Sequence, residues 1–537
     1  MSQTRLQTLL FVAALAFLSG SPGPAWPGPA PVAAAPWACA GLTSAPLPDR
    51  AEVLETTIEP ADAIRPERCV VHGRIVSSPT STIQFRVDLP QAGGWNGDLV
   101  FVGDGGFDGF ISTDGAFWKR ILAFLGDDAA TLWKSVVVGC DSGHQGRGAA
   151  PLKDFSWAIN NPSAVLNHAD QANHLTLGVA RALAQVFYGR APEHRYMVGH
   201  SNGGRAGLIA AQRHPADYDG ILAFSPAISQ EAFAANLSPF FQHVFAHPDN
   251  WVSPAQAALW ERAELTACDS LDGVQDGIIS RPSACHYDPA PLVCKPGLAA
   301  GPDCLTPGQA ESIRRVFSDK RVDVTLADGV VGYPAWGRGA ETAEFNYIFG
   351  TSFVARDGTD YVFADNIIRY GIAGDPNASV MTHDPSRFQQ AYLALSRQVD
   401  ATDPDLSAFQ ARGGKLIVWY GASDYCVSYL RFAQYFSAMR QRTPAANTFA
   451  RLYVSPGLTH GNKGPGANDF ELLGVLRAWV ARGQEPGSIH ARKLGPDGRP
   501  LFSRPLCRYP DYPRFRGQGD ANEATSFICT PDPDLPA

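Results

Sequence analysis

A chain of 537 residues can bury a large core, and 45% hydrophobic with 18% charged residues is the composition of an ordinary globular protein. A formal charge of −8, with no run rich in Lys or Arg, excludes a nucleic-acid binder or any other partner of polyanions.

At the N-terminus "MSQTR", the apolar run "LQTLLFVAALAFLSG" and the small residues of "VAAAPW" read as a secretory signal peptide over 1–35, cut near Ala35. The apolar run is short for a membrane span, so no membrane association is expected after cleavage. Residues 21–36 are rich in Pro, Ala and Gly and form the leader's tail and a linker. Ten cysteines (Cys39, Cys69, Cys140, Cys268, Cys285, Cys294, Cys304, Cys426, Cys507 and Cys529) agree with an oxidising compartment, secreted or periplasmic. Zinc is the rival use of cysteine, and the lack of any C-x-x-C speaks against it.

From residue 69 strands dominate. "STIQFRVDLP" alternates like a half-buried strand, and "GDLVFVGDGGFDG" is a short apolar run that breaks into glycines. "SVVVGCDSGHQG" repeats that form. "NHADQANHLTLGVARALAQVFYG" has helical spacing and ends at a glycine. "HRYMVGHSNGG" is a strand entering a tight turn, "RAGLIAAQRHP" a helix stopped by its proline, and "YDGILAFSPAI" another strand. Such alternation predicts an α/β fold with a parallel sheet covered on both faces. Residues 231–410 break the pattern with aromatics, prolines and short segments. Buried strands return at "GGKLIVWYGASD" and "FARLYVSPGLTHG", and "NDFELLGVLRAWVARG" is a closing helix. The chain therefore divides into a core (36–230), a domain-sized inserted lid (231–410) and the rest of the core (411–537).

The turn "GHSNGG" fits G-x-S-x-G, in which a serine between strand and helix is lifted out of the sheet and its neighbours must be small. Gly199 and Gly203 frame Ser201, and the following helix brings backbone N–H groups to the site. A serine needs a base, and the base an orienting acid, in the chain order Ser, Asp, His. Asp424 follows one buried strand and His460 the next, so Ser201, Asp424 and His460 are the candidate catalytic residues. His168 and His174, on the helix before the turn, are weaker candidates. His214 is placed to meet the terminal carbonyls of its helix, and His144 lies in a loop that can line the site. "GDGGFDG" offers a second oxyanion donor, Gly106, to partner the Asn202 amide, against a simple hairpin turn as the alternative. "CDSLDGVQDGII" reads either as an Asp/Gly turn or as a calcium loop, with oxygens from Asp269, Asp272 and Asp276 and the carbonyls of Val274 and Ile278.

The stretches "WNGDLVFVGDGGFDG", "DSGHQG", "FYGRAPEHRYMVGHSNGGRAGLIAAQRHPADYDGILAFSPA", "CDSLDGVQDGIISRPSAC" and "GASD", with "THG" more loosely, resemble the tannase and feruloyl esterase family, which includes mono(hydroxyethyl) terephthalate hydrolase. The resemblance runs through nearly the whole mature chain. It implies a secreted α/β-hydrolase with a large lid, cleaving feruloyl-, galloyl- or terephthaloyl-type esters through an acyl-enzyme. It also implies a structural calcium ion on the five positions named, and the disulfides Cys39–Cys69, Cys268–Cys285, Cys294–Cys304 and Cys507–Cys529. Members usually carry cysteines before the nucleophile and after the catalytic histidine. Here those positions are His200 and Gly461, so packing alone is expected to hold the triad. In the implied strand order, the strand ends near Cys140 and Asp424 lie four places apart. That is roughly 19 Å, beyond the ~7 Å Cα limit of a disulfide, so Cys140 and Cys426 are expected as separately located thiols. Lid aromatics such as Phe345, Tyr347, Phe349, Tyr361 and Tyr370 either form the acyl pocket or belong to the core. The rivals are a hydrolase of other esters or peptides using the same triad, and a weakly catalytic binding homologue.

Overall fold

The apolar runs of the sequence become a nine-stranded mixed sheet in the structure, a computed structural model that describes residues 37–535 except 49, 104, 114, 148–150, 298–300 and 444. The expected leader lies outside the described residues. The strands are β1 (Ala51–Glu59), β2 (Arg68–Ser78), β3 (Ser81–Pro90), β4 (Asp98–Gly103), β5 (Val136–Cys140), β6 (His194–His200), β7 (Gly220–Phe224), β8 (Lys415–Gly421) and β9 (Ala450–Ser455). Their order is β1-β2-β3-β5-β4-β6-β7-β8-β9. The pairings β1/β2, β2/β3 and β3/β5 are antiparallel; every pairing from β5 to β9 is parallel. β5 and β8 are thus four places apart, the separation on which the argument about Cys140 and Cys426 rests.

Every residue of β4, β5 and β7 is buried, as expected of parallel strands covered on both faces. Successive side chains point to opposite faces, so neighbours belong to different cores. Leu99, Phe101, Met197, Ile221 and Val418 pack with Leu177, Leu183 and Leu208. Those come from helices α1 (Ala172–Tyr188) and α2 (Asn202–Arg213). Val100, Val102, Val198, Leu222 and Trp419 face the other way, onto Leu473, Leu476 and Trp479. α1 stops at Gly189, whose φ of 74° is the left-handed turn that favours glycine.

Between Phe224 and Lys415 no strand joins the sheet among the described residues; helices fill the interval, beginning with α3 (Gln230–Val244) and α4 (Pro254–Cys268). α4 opens with a capping box, Ser253 and Gln256 each bonding the other's backbone N–H. This segment carries its own apolar core, which takes in Phe107, Phe155 and Trp157 from the β4 and β5 loops. Helix α5 (Leu472–Arg482) is not the end of the fold. Two further hairpins follow, β10 (Ile489–Leu494) with β11 (Pro500–Leu506), and β12 (Asp511–Phe515) with β13 (Phe527–Pro531). Disulfides join Cys39–Cys69, Cys268–Cys285, Cys294–Cys304 and Cys507–Cys529, with Cα separations between 4.9 and 5.6 Å.

Candidate active site

Ser201 sits between β6 and α2 with φ 60° and ψ −119°, a conformation that L-residues rarely adopt. Such backbone costs on the order of 1–3 kcal/mol and persists only where the surroundings enforce it. Here the Ser201 N–H donates to the Phe224 carbonyl at 2.8 Å, and the Ser201 carbonyl accepts from the N–H groups of Arg205 (3.0 Å) and Ala227 (3.1 Å). The turn is also crowded. A Cβ on Gly199 would lie 2.3 Å from the Gly203 carbonyl, and one on Gly103 would lie 2.9 Å from the same oxygen. Small residues are required because β4, β6 and α2 converge on one point.

Asp424 follows β8 and His460 follows β9, and both side chains are buried. His460 Nδ1 lies 2.8 Å from Asp424 Oδ2. The other Asp424 oxygen accepts the N–H groups of Cys426 (2.9 Å) and Val427 (2.8 Å), which fixes the carboxylate's orientation. The loop carrying His460 is brought to the serine turn by His200. Its Nε2 is 2.9 Å from the His460 carbonyl, and the two rings are 4.4 Å apart. Because a carbonyl only accepts, Nε2 of His200 is the protonated nitrogen. On the far side the Gly461 N–H donates to Glu344 at 3.0 Å. The expectation that packing alone ties positions 200 and 461 is therefore corrected: both are held by hydrogen bonds. Asp360 is buried nearby. Burial first, and the charge of Asp424 second, push its carboxyl well above the usual carboxylate range.

Gly106 and Asn202 line one pocket with Ser201, together with Phe107, Phe233, Tyr333, Phe363 and Tyr420. Its volume is about 540 Å³, solvent at the mouth included. Of the aromatics proposed from the sequence, Phe345, Phe349 and Tyr361 are buried in the core of the β7–β8 segment, and none of the five lines this pocket. Gly106 has φ 61°, and a Cβ there would meet the Leu152 carbonyl at 2.3 Å, so the loop after β4 is not a hairpin turn but a tightly pinned ledge. The ledge is supported from below. Asp108 accepts hydrogen bonds from the Ser142 hydroxyl and the Asn202 side-chain amide. Burial pushes its carboxyl up to about 7, against those bonds and the charge of Arg205. Arg205 is itself fully buried, bonding Asn202 Oδ1 at 2.6 Å and the carbonyls of Val399 and His168 at 2.7 and 2.9 Å.

His144 does not line the pocket. It stacks on Trp157 at 3.7 Å, with Nε2 2.8 Å from the Phe107 carbonyl, and burial lowers it to about 4. His168 is buried beside the same tryptophan. Asp108 and Arg205 escaped the sequence, in which position 200 stood out only as a missing cysteine, and only the "GGFDG" that also holds Gly106 hinted at Asp108.

The acidic loop after α4 turns through Gly273 (φ 101°) and Gly277 (φ 83°). Asp269 accepts from the N–H groups of Asp276, Gly277 and Ile278, Asp272 from that of Val274, and Asp276 pairs with Arg504. Asp272 Oδ2 is buried with no hydrogen-bond partner; burial raises the carboxyl to about 6 against bonds from the Ser280 hydroxyl and the Val274 N–H, with the charges of Asp276 and Asp269 adding to the rise. An orphaned carboxylate oxygen among hard oxygen donors fits a calcium ion.

Residues 68–530 match the family model described as tannase and feruloyl esterase. The chain belongs to this family. It is a carboxylic ester hydrolase. It is 31% identical to the mono(2-hydroxyethyl) terephthalate hydrolase of Piscinibacter sakaiensis, over 88% of this chain and 86% of that one. To a probable feruloyl esterase of Arthroderma benhamiae it is 30% identical, over 83% and 82%. The crystal structure of feruloyl esterase B from Aspergillus oryzae superposes with a TM-score of 0.77 at 23% identity, over 90% of this chain and 97% of that one. The last likeness is one of fold: a mixed α/β protein built on a large central sheet.

Proposed function

We propose that this family member is a secreted serine esterase of the α/β-hydrolase type, cleaving esters of aromatic acids through an acyl-enzyme. The observation that carries the reading is the Asp424–His460 pair at 2.8 Å, bonded through His200 to the strained Ser201 turn at an aromatic pocket. Asp424 holds Nδ1–H, which leaves Nε2 of His460 as the base. Ser201 Oγ attacks the ester carbonyl carbon and gives its proton to His460. The oxyanion meets the N–H groups of Gly106 and Asn202, the latter in the first turn of α2, where backbone donors have no partner within the helix. Collapse expels the alcohol, protonated by His460, and leaves the acyl group on Ser201. Water, deprotonated by His460, then releases the acid.

The five aromatic rings at the pocket favour a planar acyl group of the feruloyl, galloyl or terephthaloyl kind. The helical segment 231–410 serves as the lid. Export is supported by the four disulfides, and among the described residues no helix is long and apolar enough to cross a membrane. Asp269, Asp272 and Asp276 with the Val274 and Ile278 carbonyls would hold calcium, which would stabilise the lid loop. Turnover of feruloyl, galloyl, terephthaloyl monoester, p-nitrophenyl acetate and peptide substrates by wild type and Ser201→Ala tests the proposal. It expects preference for an aromatic acyl group and loss of nearly all turnover in the variant. Preference for a peptide or a purely aliphatic ester would overturn the substrate class, and an active Ser201→Ala would overturn the mechanism.

A further inference from the structure

On the outer side of the sheet, away from the pocket, two histidines and two aspartates from neighbouring elements meet. Asp170, in the π-helical turn Asn167–Gln171 that leads into α1, and His174, in the first turn of α1, are four residues apart and share one face. His214 ends α2, and Asp217 follows three residues later. The sequence suggested that His214 would lean on the carbonyls ending its own helix. Its ring instead stacks on His174, with centroids 4.0 Å apart and planes within 13°. Each ring is matched to the other element's carboxylate: His174 Nδ1 lies 2.8 Å from Asp217 Oδ2, and His214 Nε2 lies 2.5 Å from Asp170 Oδ1. Arg213 stands 3.8 Å from the second oxygen of Asp170. One donor atom each from His174, His214 and Asp217 falls within 4.8 Å of the others, and all four side chains line one small depression.

We propose that this cluster is a binding site for a transition-metal dication of the zinc class, distinct from the acidic loop after α4. His174, His214 and Asp217 offer two imidazoles and a carboxylate to the ion, with water as the fourth ligand and the Asp170 carboxylate orienting the His214 ring, and imidazole nitrogen selects zinc, copper or nickel over calcium and magnesium. Ligands about 2.1 Å from a tetrahedral ion stand about 3.4 Å from one another. The His174–Asp217 pair must therefore open slightly and the His214 nitrogen must close in. Side-chain rotation supplies this: the His174 side chain is 40% exposed and exchanges its stacking on His214 for the ion. The site clips α1 to the end of α2. About eighteen ångströms of helix separate it from Ser201, at 1.5 Å per residue, so its role is structural and a bound ion would not enter the ester chemistry.

The test uses the purified full chain, stripped with chelator and returned to 1 mM calcium chloride so that the acidic loop is supplied. Zinc chloride is titrated by calorimetry and by thermal unfolding, and cobalt(II) by visible absorption. The proposal expects one zinc per chain and a rise in Tm of about 3 °C at saturating zinc. It also expects cobalt bands of a tetrahedral nitrogen and oxygen site. His174→Ala, a partly exposed change that leaves the circular dichroism spectrum intact, should weaken zinc at least about tenfold. His214→Ala should do the same, whereas Asp272→Ala should not change zinc affinity. No zinc binding by wild type, or equal binding by wild type and His174→Ala, would overturn the proposal.

Discussion

In the proposed mechanism Ser201, His460 and Asp424 act as a unit because each corrects a deficiency of the next: a weak nucleophile, a base that needs one tautomer, and an acid that selects it. Asp424→Asn keeps the shape but presents an amide to His460 Nδ1, and should lower kcat by about 10³–10⁴ with little change in KM. Steady-state kinetics on an activated aromatic ester check this. Asp108 makes a different prediction, about pH. Its folded value of about 7 stands against 3.8 for the unfolded chain, so the native state retains a proton that the unfolded state releases. The stability contributed by the protonated carboxyl is complete below about pH 4 and is lost as pH rises to 7. Asp108→Asn can keep both partners, because the Ser142 hydroxyl can turn to accept. The variant's Tm should therefore match wild type near pH 4 and exceed it by roughly 2–5 °C at pH 8, as followed by calorimetry across that range.

At the scale of elements, the central strands were legible because parallel strands buried on both faces read as continuous apolar runs, and Asp424 and His460 were found by following two of them to their ends. The segment after β7 was not legible in the same way. All but three residues of α3 are buried, so it shows no polar stripe from which a helical period can be read. The hairpins β10–β13 lie beyond the last helix of the layered pattern and form two small sheets of their own. The supports of the site were hidden for another reason: Asn202–Asp108 and His200–His460 join positions 94 and 260 residues apart, which no local pattern records. The ledge after β4 carries its own test. Gly106→Ala forces a Cβ toward the Leu152 carbonyl at a φ of 61°. It should cut kcat about a hundredfold while α2 and the sheet, followed by circular dichroism, stay folded.

For the whole molecule, the sheet aligns the serine, acid and histidine loops at one edge, and the β7–β8 segment closes the pocket above them with a core of its own. One disulfide ties Cys39 to Cys69 in β2, and two lie in the β7–β8 segment, at Cys268–Cys285 and Cys294–Cys304. Chelation of calcium, or Asp272→Ala, should lower Tm by a few degrees, while Ser201→Ala should leave it nearly unchanged. An unaltered Tm on chelation, with no calcium in elemental analysis, would remove the ion from this account. The central claim is that one serine, activated by His460, carries the acyl group. Treating the full chain with a p-nitrophenyl phosphonate and mapping the adduct by peptide mass spectrometry tests it most directly. The account predicts one adduct per chain, on Ser201, with hydrolysis lost in step with labelling and no adduct in His460→Ala. Complete inactivation with the label on another residue, or full hydrolysis by a chain labelled at Ser201, would contradict it.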